Sequence, residues 1–443
     1  MSVQLLMLGC LSICIFVFFL QCVMQLNLKL DAGWIFGFSF FFDLIGFLYK
    51  KYVHGSSLFL LLALPFVLVG ITFLHKKRLS EGLFTNKGLL LWFLFLSYSI
   101  ISLGWAFNDE LGFSKLQILF IHGIIPGIYT FIVYKKYKKF SWTSVVLFGL
   151  AYSITHHVFA LYTPEYPGRL TLPGGNPIFD ARILFGAVTI AIWGKQIPLV
   201  LRVATIGFGI YSGIATQSRG PLLALVIANV LVLIYVLYKK YKNDQLRISK
   251  SFQIGALLFL IVIGFVAMHY KEQALEVIGG SRFTVLVNQS QLTGDANFLG
   301  RKYLQINALN KFVDHPFFGT GLGGDSLMGR FYYPHNIILE IASELGLIGI
   351  TLWGIAFLYS CYIARFSGVL LVLLIQSMVS ALFSGDYGYN YEYLLVAITA
   401  LALAPKAKEK DVDRHGQNYL YFNRFRLRRS RSSSNPIGNR FTT

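Results

Sequence analysis

The chain has 443 residues, 55% of them hydrophobic and only 13% charged, and its mean hydropathy is +0.61. So apolar a composition, spread over many separate runs, excludes a soluble domain and predicts a polytopic membrane protein of all-α class, because helices satisfy their own backbone in lipid. The formal net charge of +19 lies in short blocks between runs and in the C-terminal tail, a pattern of topology and not a nucleic-acid footprint.

The first run, LLMLGCLSICIFVFFLQCV, lacks the charged start and small-residue cleavage site of a signal peptide, and many further runs follow it, so it reads as retained. Next comes a short segment near 34–49 that carries Asp43. Either it is re-entrant, or Lys50 and Lys51 break the positive-inside pattern. From there the basic blocks at 75–78, 135–139, 239–242 and 406–408 mark the cytoplasmic side. The loops between them then face outward: 108–110, about 163–180, 218–220, about 269–334 and 385–393. The alternation predicts about 12 spans within a membrane domain over 1–405. A basic tail over 406–443, ending in RFRLRRSRSSS, reads as disordered and cytoplasmic. Cys10, Cys14, Cys22 and Cys361 lie in or beside apolar runs without metal-ligand spacing and read as packing residues.

The unusual residues fall on the outward side. The segment 269–334 is long enough to fold into a helical cap. Within it, GRKYLQINALNKFVDHPFFGTGLGG shows a helical pattern that Pro316 and the glycines at 319, 321, 323 and 324 break. Those glycines read first as a plain turn and second as a backbone cradle for phosphate. Arg219 stands in QSRGP, Arg301 opens the cap helix, and Arg169 and Arg182 flank LTLPGGNPIFD. A cluster of arginines beside spans suits phosphate or pyrophosphate, so the expected ligand is an anionic lipid headgroup. His335 stands one residue ahead of an apolar helix, where a neutral imidazole can take a proton from a hydroxyl. Glu340 and Glu344 share a face of that helix. Glu344 lies about 13 Å below His335 and about half a turn round from it, so its expected role is structural, paired with an arginine or bonded to a neighbouring helix. Gly346 and Gly349 allow close helix approach. Asp109, Glu110, His156 and His157 come nearest to a metal set, but read as loop acids and span-end polar groups.

PHNIILEIASELGLIG resembles the His-Asn signature of the O-antigen ligase and polymerase family, with His335, Asn336, Leu339, Glu344, Gly346 and Gly349 at the matching places. GRKYLQINALNKFVDHPFFGTGLG and SRGPLLAL resemble two further segments of that family, and the likeness covers about 165–365. The resemblance implies a periplasmic helical cap on about a dozen helices in a bacterial inner membrane. It also implies transfer of a glycan from undecaprenyl diphosphate to an acceptor hydroxyl, with inversion and with neither metal nor cofactor. In that picture His335 activates the acceptor and Arg219, Arg301 and Arg182 hold the diphosphate, with Asn336, Glu344 and Arg169 in support. One dominant outer loop favours a ligase acting on lipid A-core over a polymerase joining carrier-linked repeats. A lipid-linked oligosaccharide flippase, using Asp43, Glu340 and Glu344 as coupling charges, is the rival class, and no internal repeat supports it.

Overall fold

The computed structural model describes residues 31–53, 83, 85–242, 296–324 and 333–404. The N-terminal run, the first part of the cap and the basic tail therefore lie outside the described residues. Among the described residues, nine α-helices lie ahead of position 243: α1 (Ala32–Phe40), α2 (Phe42–Val53), α3 (Lys87–Ile101), α4 (Asp109–Leu119), α5 (Ile125–Tyr137), α6 (Trp142–Phe159), α7 (Pro177–Trp193), α8 (Leu199–Ala215) and α9 (Arg219–Lys242). After it come α10 (Ala296–Asp314), α11 (Ile337–Ala364), α12 (Gly368–Ala381) and α13 (Glu392–Leu403). A π-helical turn, Phe120–Ile124, joins α4 to α5.

The protein is mostly helical, but a two-stranded antiparallel hairpin departs from the all-α expectation. It pairs β1 (Leu161–Thr163) with β2 (Tyr166–Thr171) inside the predicted outer loop. Among the described residues four helices are long and apolar enough to cross a membrane, and five if a bent pair is one span. Of the roughly twelve predicted spans, several fall on residues outside the description, and α8, α12 and α13 are apolar but only 10–17 residues long.

The bent pair resolves the ambiguity near Asp43. α1 and α2 meet at 65° around Phe41. At one end Ala32 donates to the Lys139 carbonyl and Asp31 accepts from Ser141 and Ser144, beside a basic block. At the other end the Lys50 amine lies beside Gly174, beyond the hairpin at the far end of α6. The pair therefore runs from one end of the bundle to the other as a broken crossing, with Asp43 just past the break.

α7 and α13 form the centre, with nearly every side chain buried. α9 instead shows Leu231, Leu233 and Ile234 to the outside, as a lipid-facing helix does. α3 and α11 run antiparallel: Trp92 donates to Ser360 at 2.9 Å near one end, and Tyr98 to the Leu345 carbonyl at 3.1 Å near the other.

The glycine-rich segment after α10 has a use other than a phosphate cradle. Gly346 takes φ +65° and kinks α11, freeing backbone groups that must find partners. The segment supplies them. Leu347 donates to the Pro316 carbonyl at 2.8 Å, while Thr320 and Gly321 donate to the Ser343 and Glu344 carbonyls at 2.9 Å each. A Cβ at Gly319 would collide with the Glu344 backbone, at Gly321 with Ala106, and at Gly323 with the Asn108 carbonyl. These glycines are needed for backbone-to-backbone packing.

Candidate functional site

The four candidate arginines divide by environment. Arg169 and Arg182 are buried, whereas Arg219 and Arg301 remain half-exposed. Arg169, on β2, donates to the Thr216 carbonyl at 3.0 Å and to Ser218 Oγ at 2.6 Å. Ser218 in turn donates to the Pro177 carbonyl at 2.8 Å. The turn that launches α9 is thus tied to β2 and α7, and Arg219 begins its helix at a set position. Gln217, within that turn, takes the left-handed φ of +50°.

Asp180 anchors the same region. It accepts from Tyr152 Oη at 2.8 Å, Thr171 Oγ1 at 2.7 Å and the Leu172 amide at 3.0 Å, which holds β2 against α6 and α7. Two residues further along α7, Arg182 pairs with Glu392 of α13 at 2.7 Å, while its Nη1 is buried with no hydrogen-bond partner among the described residues.

The loop between α12 and α13 gathers three of the arginines. Arg301 donates from Nη1 to the Phe383 carbonyl at 3.0 Å. Gly220, next to Arg219, faces the Phe383 side chain, and Gly385 lies against Arg182 Nη1. Gly385 takes φ +79°, and a Cβ there would come within 3.0 Å of that guanidinium. Residues 219, 301 and 182, far apart in the chain, therefore converge on residues 383–385.

His335 lies beside this cluster. Its backbone is left-handed, with φ +54°, a conformation that histidine adopts more readily than β-branched residues. Asn336 follows as the cap of α11 and accepts from the Ile338 and Leu339 amides at 3.0 and 3.3 Å. The His335 ring packs on Tyr333, centroids 4.2 Å apart, and its Nδ1 is buried without a hydrogen-bond partner among the described residues. Burial, together with the Arg301 charge, pushes the imidazole down to about 4. The Tyr333 phenol is pushed up by burial and by the carboxylates of Asp386 and Glu340. The arrangement is a neutral base held within reach of the Arg301 charge.

Glu344 bonds to a neighbouring helix, the second of its two expected roles. Lys115, buried in α4, donates to Glu340 at 2.6 Å and to Glu344 at 2.7 Å. These bonds fix α11 against α4 directly below His335. Sequence reading passed over Lys115, a single lysine whose partners are 225 and 229 residues away. It also passed over Tyr333, Phe383 and Glu392. A lysine inside an apolar run was the one available signal, since such a charge needs a buried partner. Asp109 and Glu110 prove to be first-turn acids of α4, and His156 and His157 close the last turn of α6.

Residues 204–354 match the family model described as O-antigen ligase. The chain is 26% identical over 316 residues to the O-antigen ligase of Pseudomonas aeruginosa, covering 67% of this chain and 68% of that protein. It is 28% identical over 149 residues, 28% of this chain and 36% of the relative, to a Rickettsia conorii protein named as a polysaccharide ligase. The matched segment holds Arg219, Arg301, His335 and Glu344, so the likeness to the O-antigen ligase family covers the part of the chain that carries these candidate residues.

Proposed function

We propose that the protein transfers a glycan from undecaprenyl diphosphate to a hydroxyl of lipid A-core, on the outer face of a bacterial inner membrane. The observation that carries this reading is His335: an imidazole kept neutral, with a free ring nitrogen, beside arginines that converge on one loop. Arg219 and Arg301, half-exposed, take the two phosphates, and the buried Arg182 beside them completes the set. Asn336, Glu344 and Arg169 act in support, by capping α11, bracing it and holding the Arg219 turn.

In the reaction, His335 accepts the proton of the acceptor hydroxyl as its oxygen attacks the anomeric carbon. The bond from that carbon to the diphosphate oxygen breaks, and the leaving diphosphate departs into the guanidinium groups. Attack opposite the leaving group inverts the anomeric centre. No metal is needed, because the arginines offset the developing charge. The likeness to the O-antigen ligase family supports glycosyl transfer, and the charge pattern supports a periplasmic site with a cytoplasmic C-terminus.

The test is transfer in proteoliposomes from an undecaprenyl-diphosphate glycan, with lipid A-core and carrier-linked repeats offered separately. Product on lipid A-core is expected. A ladder of longer carrier-linked chains would replace the ligase reading with the polymerase one, and no product on either acceptor would remove both.

A further inference from the structure

We propose that the exposed apolar face of α10 seats in the membrane leaflet at the His335 end of the bundle, so that this helix lies in the lipid interface across the ends of the crossing helices. The inference rests on the surface and neighbours of α10 and is independent of the glycosyl-transfer reading.

α10 is too polar to be a crossing, with Arg301, Lys302, Lys311 and Asp314 among its 19 residues. Its outward face is nevertheless apolar. Leu299, Tyr303, Ile306, Leu309 and Val313 recur three or four residues apart, each between 48% and 67% exposed, and the exposed rings of Phe317 and Phe318 extend the strip past the end of the helix. That spacing gathers the five side chains on one side. The other side packs inward: Ala308 is buried, and Arg301 donates to the Phe383 carbonyl. A contiguous apolar strip of this kind marks a docking surface.

The neighbours of α10 indicate a lipid surface as the occupant. Near its start the helix reaches Phe383, just beyond α12, and just past its end the Phe318 ring meets Trp105 with centroids 6.4 Å apart, just beyond α3. A helix of 19 residues is about 28 Å long. With its two ends beside the ends of two different helices, it lies across the bundle and not alongside it. The strip also joins a surface that must face lipid. Trp105 closes a segment long and apolar enough to cross a membrane, and four residues before it Ile101 is an exposed side chain of that crossing. Tryptophan favours the boundary between hydrocarbon and water. Lys302 is the cation on the exposed face of α10, and its stem lies along apolar surface while its amine reaches lipid phosphates. Seating this face in the interface holds Arg301, on the other side of the helix, at the level of those phosphates.

The test carries one nitroxide at a time on Tyr303→Cys, Ile306→Cys or Val313→Cys, in the full chain with its four native cysteines changed to serine, in nanodiscs of phosphatidylethanolamine and phosphatidylglycerol. Relaxation by dissolved oxygen, set against relaxation by a water-soluble nickel chelate, gives the depth of each label. All three labels are expected about 5–10 Å below the lipid phosphates, with a label on Ile101→Cys as the lipid-facing reference. Stronger relaxation by the nickel chelate would put the face in water and overturn the inference. Protection from both reagents would mean that protein covers it and would overturn the inference equally, with broadening between labels identifying a second copy as the cover. The three positions are exposed, so substitution there disturbs no packing, and each variant reports by itself. Because glycosyl transfer is not measured, failure here leaves the proposed activity standing.

Discussion

At the residue scale the account turns on the state of His335. Histidine usually titrates near 6.5, and here burial and Arg301 lower it to about 4, so the ring is uncharged throughout the neutral range. A base must be unprotonated to act, so transfer should hold steady from neutral pH down to about 5 and fall as pH drops through about 4. Arg301 acts on this value with a definite sign. Removing its positive charge, as in Arg301→Gln, should raise the His335 pKa, and nuclear magnetic resonance of the labelled ring would record the shift. Bound diphosphate should move it the same way by offsetting that charge, making His335 a stronger base once the donor is in place. A ring that titrates near 6.5 in the wild type and ignores Arg301 would contradict this. His335, Arg219 and Arg301 were readable in the sequence because polar groups at the edges of apolar runs stand out. The burial of Arg169 and Arg182 was not, because each depends on partners from other elements: Thr216 and Ser218 for one, Glu392 for the other.

Elements explain how that residue is held. α11 is braced by Lys115 below and by the 316–321 segment at its kink. Lys115→Ala would leave two buried carboxylates without their cation, a loss on the order of 3–5 kcal/mol. It should appear as a lower melting temperature in detergent, whereas Lys115→Met combined with Glu340→Gln and Glu344→Gln should recover most of the difference. Equal melting of Lys115→Ala and wild type would show that the brace is idle. Gly346→Ala should also destabilise, by about 1–3 kcal/mol or more, because its φ is +65° and the new Cβ would collide with the Phe317 carbonyl. The helix over 296–314 and its break at the glycines could be read from pattern and from Pro316. What the glycines do could not, since it depends on Ala106, Asn108 and Glu344 reaching the same place.

For the whole molecule, apolar runs were enough to indicate a helical membrane protein. The hairpin over 161–171 escaped notice because two strands of 3 and 6 residues leave little periodicity. The span from α1 to α2 was ambiguous for another reason: a 65° break splits one crossing into two pieces, each too short to register alone. The site itself is a property of the whole fold. Residues near 182, 219, 301, 335 and 383–392 meet only because α7 and α13 lie at the centre and carry their neighbours' loops to one end. If that end faces outward, single cysteines at exposed positions 107 and 162 should react with a membrane-impermeant thiol reagent in intact spheroplasts, and one at position 241 should not.

The most direct measurement compares wild type, His335→Ala and Arg219→Ala in proteoliposomes supplied with an undecaprenyl-diphosphate glycan, lipid A-core and EDTA. Wild type should transfer undiminished by the chelator. His335→Ala should lose about 10²–10⁴-fold of the rate while still binding donor, and Arg219→Ala should lose donor affinity. Normal transfer by folded His335→Ala, or wild-type activity abolished by EDTA and restored by a divalent ion, would contradict a neutral histidine base acting beside a cluster of arginines.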